Sequence, residues 1–542
     1  MTFNLIREPW IRCVDLDGQV RVVGLADALA SSHELAEIVD ESPLVVAALH
    51  RLLLAILHRN FGPRDTETWG GLWKQRRFPS EVLQAYWTKW ESRFDLFDDT
   101  HPFYQSATIT ERDGSSTTGI LEFHRSSGGN ATLADHATDD RSPVMTPAEA
   151  ARALITHQTF ALGGTASYLK SCEKPADRYA SDSPSARGAV CLLRGANLFE
   201  TLMLNLAEYD PAAHPKDLPC WERDPSQGRG ERTPDGRVDL FTWQSRRSRL
   251  FSSQASDGST QVDRVTLVPG FHAPLLWNPF KDESLQSFAL QPEAKPDQRP
   301  WRHYQITPER AVWRDSSAII HGVTGEKRQE MRPLTLNWIA QLVWDGELPE
   351  GFQCRVEVSG FATLPGKQKV ELWRREQLPV TAGLLQDPRC QESLRGSLNH
   401  ADDTAYALST ATKRLAAEIL SPIDFKKADP KRVKQLVSSL GSEIQYWSSL
   451  STPFCEFLES LGRSQRITDE EARDSAGNGG FEAWKRNVRN AALDAFTQAS
   501  SGVTQNVRGL RAQAIADTEL RRSLAKVARK LMGGGDAEEK TK

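Results

Sequence analysis

Disulfide chemistry is the first thing this sequence argues against. Its 542 residues hold seven cysteines, Cys13, Cys172, Cys191, Cys220, Cys354, Cys390 and Cys455. The number is odd, the spacing is wide, and no C-x-x-C pair occurs. Neither a disulfide framework nor a zinc knuckle fits that usage; free thiols in a reducing compartment do, and a cytoplasmic location is expected. Long apolar runs are missing as well. The most apolar stretch, Leu44 to Leu57, is interrupted by His50 and Arg51. A membrane span needs about 20 apolar residues, so this stretch reads as a core helix and no membrane partner is expected. No basic region leads into an apolar one at the start of the chain, so no secretory signal is expected. Charge of one sign is not in excess either: 67 Lys and Arg face 71 Asp and Glu, a net −4. That balance excludes a surface coated in positive charge for free-standing nucleic-acid binding, but it leaves room for local basic patches.

Enzyme signatures are also lacking. Gly360 to Lys367, GFATLPGK, imitates a phosphate-binding loop, but its glycines are one residue too far apart and Gln368 stands where a Ser or Thr should bind magnesium. An exposed turn is the alternative reading. Asp135-His136 with Asp139-Asp140, and His400 with Asp402-Asp403, imitate metal sites. Neither group has further His or Glu at helical ligand spacing, so the first reads as a polar loop and the second as the start of a helix. No G-x-S-x-G, H-E-x-x-H or defensible Cys–His pattern is present. No metal, no cofactor and no catalytic residue are expected.

What the sequence does have is tryptophan, fifteen in all, whose large amphipathic rings suit cores, interfaces and base stacking alike. The length implies two to four domains. Alternation on either side of Asp17-Gly18 predicts a hairpin. Helical periodicity follows over Leu25 to Ile38, Pro43 to Asn60 and Ser80 to Arg93. Residues 106–141 are polar and read as a long loop. Helix returns over Thr146 to Thr159, ending at Gly163-Gly164, and over Asn197 to Ala207; the polar stretch Ser167 to Arg187 lies between. Short β-like runs such as Arg264 to Val268 and Cys354 to Val358 are separated by connections such as the proline-rich Gln291 to Pro300. From about Thr381 long helical patterns dominate: Asp403 to Leu420, Pro430 to Leu461, Asp469 to Ala499 with a break at Gly477 to Gly480, and Val507 to Met532. Residues 381–532 carry 22 Lys and Arg against 18 Asp and Glu. The expected class is α+β: a mixed α/β domain over 1–380, an antiparallel four-helix bundle over 381–532, and a frayed tail over 533–542.

Several segments together resemble one family. They are FNLIREPWI (Phe3 to Ile11), SPLVVAALHRLLLAILHR (Ser42 to Arg59), FDLFDDTHPFYQ (Phe94 to Gln105), NATLADHATDD (Asn130 to Asp140), FALGG (Phe160 to Gly164), TWQSRRSRL (Thr242 to Leu250) and VWRD (Val312 to Asp315). They fall in the order found in the CasA-type large subunits of the type I-E CRISPR surveillance complex, Cascade. The resemblance implies a non-catalytic subunit beside the 5′ handle of the CRISPR RNA. Such a subunit recognises the protospacer-adjacent motif (PAM) in double-stranded target DNA, largely through the minor groove. It helps open the duplex and recruits a helicase-nuclease; its other partners are the remaining Cascade subunits. Minor-groove readout is degenerate, so a few backbone contacts accept several related motifs, and guide pairing then supplies specificity. Some members carry a cysteine-rich, zinc-like insertion; here the corresponding Ser252 to Val262 has no cysteine. The alternative is a scaffolding subunit of another ribonucleoprotein without PAM readout. A nuclease would need a metal cluster that the sequence does not offer.

The resemblance also assigns residues. Gly163 and Gly164 would enter the minor groove, since a residue without Cβ lets backbone approach a base edge; a helix C-cap is the other reading. Asn130, Leu133 and Asp135 would reach toward the RNA handle and the PAM, with Leu133 replacing an aromatic anchor and losing its stacking. Arg264 and Lys281 lie near the positions of DNA-facing lysines. Aligning Leu372-Trp373-Arg374-Arg375 with the family places Gln368 at a wedge that displaces the first base pair beside the PAM. Pro365 and Gly366 would present it on a turn, with Lys367 and Lys369 on the flanking phosphates. From the residues themselves, Lys413, Arg414, Lys426, Lys427, Lys431, Arg432 and Lys434 form a basic edge suited to a displaced non-target strand, or else a solvated helix face.

Overall fold

The computed structural model describes residues 2–123, 144–224, 228–290, 294–295, 297–324, 329–363, 370–464, 470–503 and 506–531. The chain divides into two compact units, Met1–Val312 with Ala318–Leu378, and Trp313–Ser317 with Pro379–Lys542. The first mixes helices with small sheets and the second is helical.

In the first unit β1 (Ile11–Asp15) and β2 (Val20–Val23) form the hairpin expected around Gly18. The helix expected over Leu25 to Ile38 stops early. Only α1 (Leu25–Ala30) is helical, and Leu35–Ile38 forms β3 on the other edge of β1. Leu35 and Ile38 are buried there. Unsatisfied backbone groups along the edge of β1 need partners, and that requirement outweighs the helical spacing. Helix α2 (Pro43–Phe61) is the core rod, buried at every position from Val46 to His58. Its length and composition match a membrane span, but 78% of its most apolar 18-residue window is buried inside the protein. Against it pack α4 (Ser80–Trp90), α5 (Pro147–Phe160), α6 (Leu198–Asn205) and α7 (Arg237–Phe241), α3 (Thr66–Gln75) and α9 (Leu334–Trp344) pack against α6, and α8 (Ser316–Ile320) spans the point where the chain passes between units.

The two most diagnostic segments of the sequence are one another's partners. Asn4 bridges Asp95, the Phe3 N–H donates to Asp95 Oδ1 at 3.0 Å, and the Leu5 N–H donates to the Phe94 carbonyl at 2.9 Å. Gln105 closes the unit, donating to the Leu96 carbonyl and accepting from the Leu250 N–H at 2.8 and 2.7 Å. The remaining sheets are small. One has the order β4 (Ser116–Thr117), β10 (Thr260–Pro269), β9 (Arg246–Gln254); β8 (Gly230–Glu231) pairs with β11 (Phe271–His272). Strands β13 (Trp301–His303), β12 (Phe288–Leu290), β15 (Gln329–Met331) and β14 (Val323–Thr324) make a four-stranded sheet. Two further groups bear on function: β5 (Gly164–Thr165) with β6 (Tyr179–Ala180), and β17 (Val370–Thr381), β16 (Gln353–Thr363), β7 (Val190–Arg194). The phosphate-loop imitation thus begins inside a strand, since Gly360 to Thr363 belong to β16.

The second unit contains α10 (Ala382–Gln386), α11 (Pro388–Leu420), α12 (Pro430–Leu440), α13 (Ser442–Ser449), α14 (Ser451–Ser464), α15 (Glu470–Ser501) and α16 (Val507–Leu531). Lys530 pairs with Asp403 at 3.0 Å while Arg508 bonds the Ile419 carbonyl, so α16 runs antiparallel to α11. The first long helix begins fifteen residues earlier than its apolar pattern suggests, capped by Asp387 with Pro388 in its first turn. His400, Asp402 and Asp403 therefore sit in mid-helix, not at a helix start. Pro430 to Leu461 is three helices, divided at left-handed Gly441, φ 63°, and again at Leu450. Conversely, the break expected at Gly477 to Gly480 does not occur, and α15 is continuous. A Cβ on Gly480 would collide with the Ser460 side chain, so that glycine permits close approach of α14. Trp313, from the VWRD segment, completes this core, its ring tilted against Phe454 at 4.7 Å between centroids and edge-on to Trp484 at 6.1 Å.

Candidate nucleic-acid interface

Thr146 and Glu149 form a capping box at the start of α5, and Pro147 occupies its first turn. The helix ends at Phe160, and Ala161, φ −57°, ψ 123°, turns the chain into extended backbone. The glycines are therefore not a left-handed helix cap. Gly164 is the first residue of β5, paired with Ala180 of β6, and Thr165 pairs with Tyr179. A Cβ on Gly163 would lie 3.1 Å from both the Ala180 carbonyl oxygen and Asp182 Oδ1, so this position is fitted to glycine by its own neighbours. A Cβ on Gly164 would meet nothing within 4 Å. The space over Gly164 is open, which suits close approach by a group from outside.

This ribbon is pinned from both sides. The Gly163 N–H donates to Asp182 Oδ1 at 2.5 Å and the Ser183 N–H to the Ala161 carbonyl at 2.8 Å. Arg246, buried at the start of β9, donates to the Leu162 carbonyl at 2.6 Å and the Ser181 carbonyl at 2.8 Å. One guanidinium thereby staples the two strands of the loop, a task its forked donors suit. Gln158 of α5 fixes Arg246 in turn through both its backbone groups, at 2.6 and 3.0 Å. Burial lowers the Arg246 pKa to about 10 against the opposing pull of Asp182, so the group stays charged at neutral pH. Burial, with Arg246 adding to it, drives neighbouring His157 down to about 3 and keeps it neutral.

Beside the ribbon opens a cleft of about 790 Å³. Its walls carry Tyr179, 68% exposed, together with Arg187, Arg299 and Arg302; Asp182 is their one carboxylate among the described residues. Arg302 is exposed on β13, and Arg299 lies 5.3 Å from the ring centre of buried Trp301. Burial lowers the Arg299 pKa, and Asp182 opposes the shift. A smaller cleft of about 260 Å³ shares Arg187 and Gln305 with the first and is walled by Phe361 and Thr363 of β16 and Glu371 of β17. Cations and an exposed aromatic thus flank the glycine ribbon, while the smaller cleft toward β16 and β17 adds the carboxylates of Glu309 and Glu371. Phosphate and base-stacking chemistry fit the first cleft.

The other assigned residues are dispersed. Lys367, Gln368 and Lys369, and likewise Asn130, Leu133 and Asp135, lie outside the described residues. Arg264 is exposed at a register shift in β10 opposite Thr117, and Lys281 is exposed in the turn Pro279–Lys281; neither lines the cleft. In the second unit Lys413, Lys426, Lys427, Lys431, Arg432 and Lys434 are exposed around the α11–α12 connection. Arg414 is committed elsewhere, paired with Glu418 at 2.7 Å and stacked 3.4 Å over the Phe425 ring. His400 is buried on α11 and held neutral, its pKa lowered to about 4, by burial and by Lys485. Among the described residues no three His, Cys, Asp or Glu side chains gather where they would hold a metal ion. Sequence reasoning alone does not single out Arg246, Asp182, Arg299, Arg302 and Tyr179, although the run RPWRHY, with arginines interleaving aromatics, carries a readable signal.

Comparison with known proteins gives one consistent answer. The family model for CRISPR-associated protein Cse1 matches residues 4–495. A CRISPR-associated protein CasA/Cse1 from Thermus thermophilus is 33% identical over 536 residues, which cover 97% of this chain and 98% of the relative. The fold resembles that of Thermobifida fusca Cse1, with TM-score 0.81 at 24% identity over 98% of this chain and 99% of that one. It also resembles a chain of a CRISPR RNA-guided surveillance complex, with TM-score 0.72 at 20% identity over 96% and 99%.

Proposed function

The chain belongs to the Cse1, or CasA, family of type I-E Cascade large subunits, and from that premise we propose that it reads the PAM of duplex DNA without cutting it. The observation that carries the reading is the glycine ribbon. Gly163 is fixed by Asp182 and Arg246, while Gly164 faces open space beside an arginine-lined cleft. A rigid backbone edge without side chains suits the shallow donor–acceptor pattern of a minor groove. Arg299 and Arg302 are placed to take phosphates, with Arg264 and Lys281 as outlying cations.

Gln368, flanked by Lys367 and Lys369, enters below the PAM and starts strand separation. Unstacking a step there costs a few kcal/mol, offset by phosphate contacts and by the heteroduplex that follows. Asn130, Leu133 and Asp135 meet the 5′ handle of the CRISPR RNA. The long C-terminal helices form an antiparallel four-helix bundle whose basic α11–α12 edge guides the displaced strand. The remaining Cascade subunits and a recruited helicase-nuclease complete the partners, in the cytoplasm. Gly164→Asp is the direct test. In reconstituted complex it should bring binding of PAM-bearing and PAM-lacking duplexes to the same level while the isolated chain remains folded. PAM preference retained by that variant would refute the reading.

A further inference from the structure

Strands β7 and β16 run antiparallel, from Ser359 opposite Val190 to Arg355 opposite Arg194. Carried one step outward, this register brings Gly360 to Ala189, and a Cβ on Gly360 would stand 3.2 Å from the Ala189 Cα. Arg187, two residues further out, thus lies beside the end of β16. Its guanidinium faces two ways. Nε donates to Asp182 Oδ2 at 2.5 Å, and a terminal nitrogen reaches Thr363 Oγ1 in a longer contact of 3.4 Å. The other oxygen of Asp182 accepts from the Gly163 N–H. Three polar contacts in series therefore join the glycine ribbon to the last residue of β16. The Arg187 and Asp182 side chains are 28% and 29% exposed, so solvent weakens their Coulomb attraction. What the pair retains is geometry, because a guanidinium meets a carboxylate in a fixed plane.

We propose that Arg187 is a positioning residue that couples PAM reading at the glycine ribbon to strand separation at the β16–β17 hairpin. The proposal rests on the reading of those two elements given above. Arg246 and Asp182 hold the ribbon whether or not Arg187 is present, so the shape of the ribbon does not need it. The distance and angle between ribbon and hairpin strand do. A duplex seated on the ribbon then meets the hairpin in one register only.

The test uses reconstituted complex carrying Arg187→Ala, Arg187→Lys or Thr363→Val. Initial association with PAM-bearing duplex is measured together with opening, followed by 2-aminopurine fluorescence, on a fully paired target and on one already melted beside the PAM. Arg187→Ala should slow opening of the paired target about tenfold at saturating complex, the worth of one charge-assisted hydrogen bond, and change opening of the melted target by less than about twofold. Thr363→Val should act in the same direction more weakly, and it keeps the test available if Arg187→Ala fails to fold. Arg187→Lys should not rescue, and adding Arg187→Ala to Gln368→Ala should cause no further loss. Equal slowing on both targets, rescue by lysine, or additivity with Gln368→Ala would overturn the coupling. If Gln368→Ala itself fails to distinguish the two targets, the hairpin reading falls and the coupling with it. If Gln368→Ala distinguishes them and Arg187→Ala does not, only the coupling falls.

Discussion

At the scale of single residues, arginine does two different jobs near the glycine ribbon. Arg246 is buried and bonded to backbone carbonyls, whereas Arg302 is exposed and Arg299 lines the open cleft. Neutralising the cleft pair as Arg299→Gln with Arg302→Gln should therefore weaken binding to all duplexes alike. It should also reduce the slope of log affinity against log salt by up to about 2, since each phosphate contact contributes about 0.9. The same change at Arg264 and Lys281, which stand away from the cleft, should lower the slope less. A larger effect from the second pair would move the DNA path away from β13. Gln368→Ala makes a complementary prediction, because a wedge is needed only while bases are stacked. That variant should slow opening of a paired target far more than of one melted beside the PAM, with PAM-dependent association kept; equal effects would remove Gln368 from the role. Gly163 and Gly164 were legible through family resemblance. The residues that hold them were not, because Asp182, Arg246 and Arg299 lie scattered over more than a hundred positions and only folding brings them together.

Helix α2 shows what an element can hide within an apolar run. His50 and His58 lie two turns apart, and each ring repeats one arrangement. Nδ1 contacts the carbonyl four residues back, Val46 or Leu54, at 2.7 Å. Nε2 faces an arginine, Arg194 at 3.4 Å or Arg237 at 3.2 Å. The neutral tautomer with its proton on Nδ1 satisfies both sides, while a second proton would point at a guanidinium. Burial first, and then those arginines, lower both pKa values to about 3; burial does the same to His157 and His303, each with a nearby arginine adding to it. The unfolded chain, with ordinary histidines near 6.5, takes up protons that the native first unit refuses. Stability is thus complete above pH 6.5 and is lost as pH falls toward 3, by up to about 1.4 kcal/mol per pH unit for each histidine. Thermal unfolding of the chain from pH 7.5 to 4.5 should show the first unit losing stability below 6.5, well above the carboxylate range. A flat profile down to pH 5 would contradict the neutral-histidine packing. The sequence marked His50 only as an interruption of an apolar stretch. Its role depends on Arg194, which arrives from β7. Helix ends are masked in the sequence for a related reason: Gly480 reads as a breaker and is a packing contact, while Gly441 and the cap at Asp387 are the real punctuation.

Across the whole molecule the segments that made the family recognisable are mostly architectural. FNLIREPWI and FDLFDDTHPFYQ brace each other, and VWRD lends a tryptophan to the core of the second unit. They reveal which family this is more readily than what the chain touches. The α+β class and the helical C-terminal region followed from periodicity, because long amphipathic patterns survive in any tertiary context. The short strands did not, since strands of two or three residues are created by their partners. A net charge of −4 is compatible with DNA binding when cations are gathered in one cleft and guide pairing supplies most of the sequence recognition. The central claim is that this subunit makes the complex sensitive to the motif beside the target. It is tested most directly by gel-shift affinities, at one salt concentration, of reconstituted Cascade for duplexes identical except in the PAM. The complex containing this chain should separate the best from the worst motif by at least about tenfold, as one mismatched contact costs about 1–3 kcal/mol, and the complex lacking it should bind all of them alike; equal affinities with the chain present, or the same spread without it, would contradict the account.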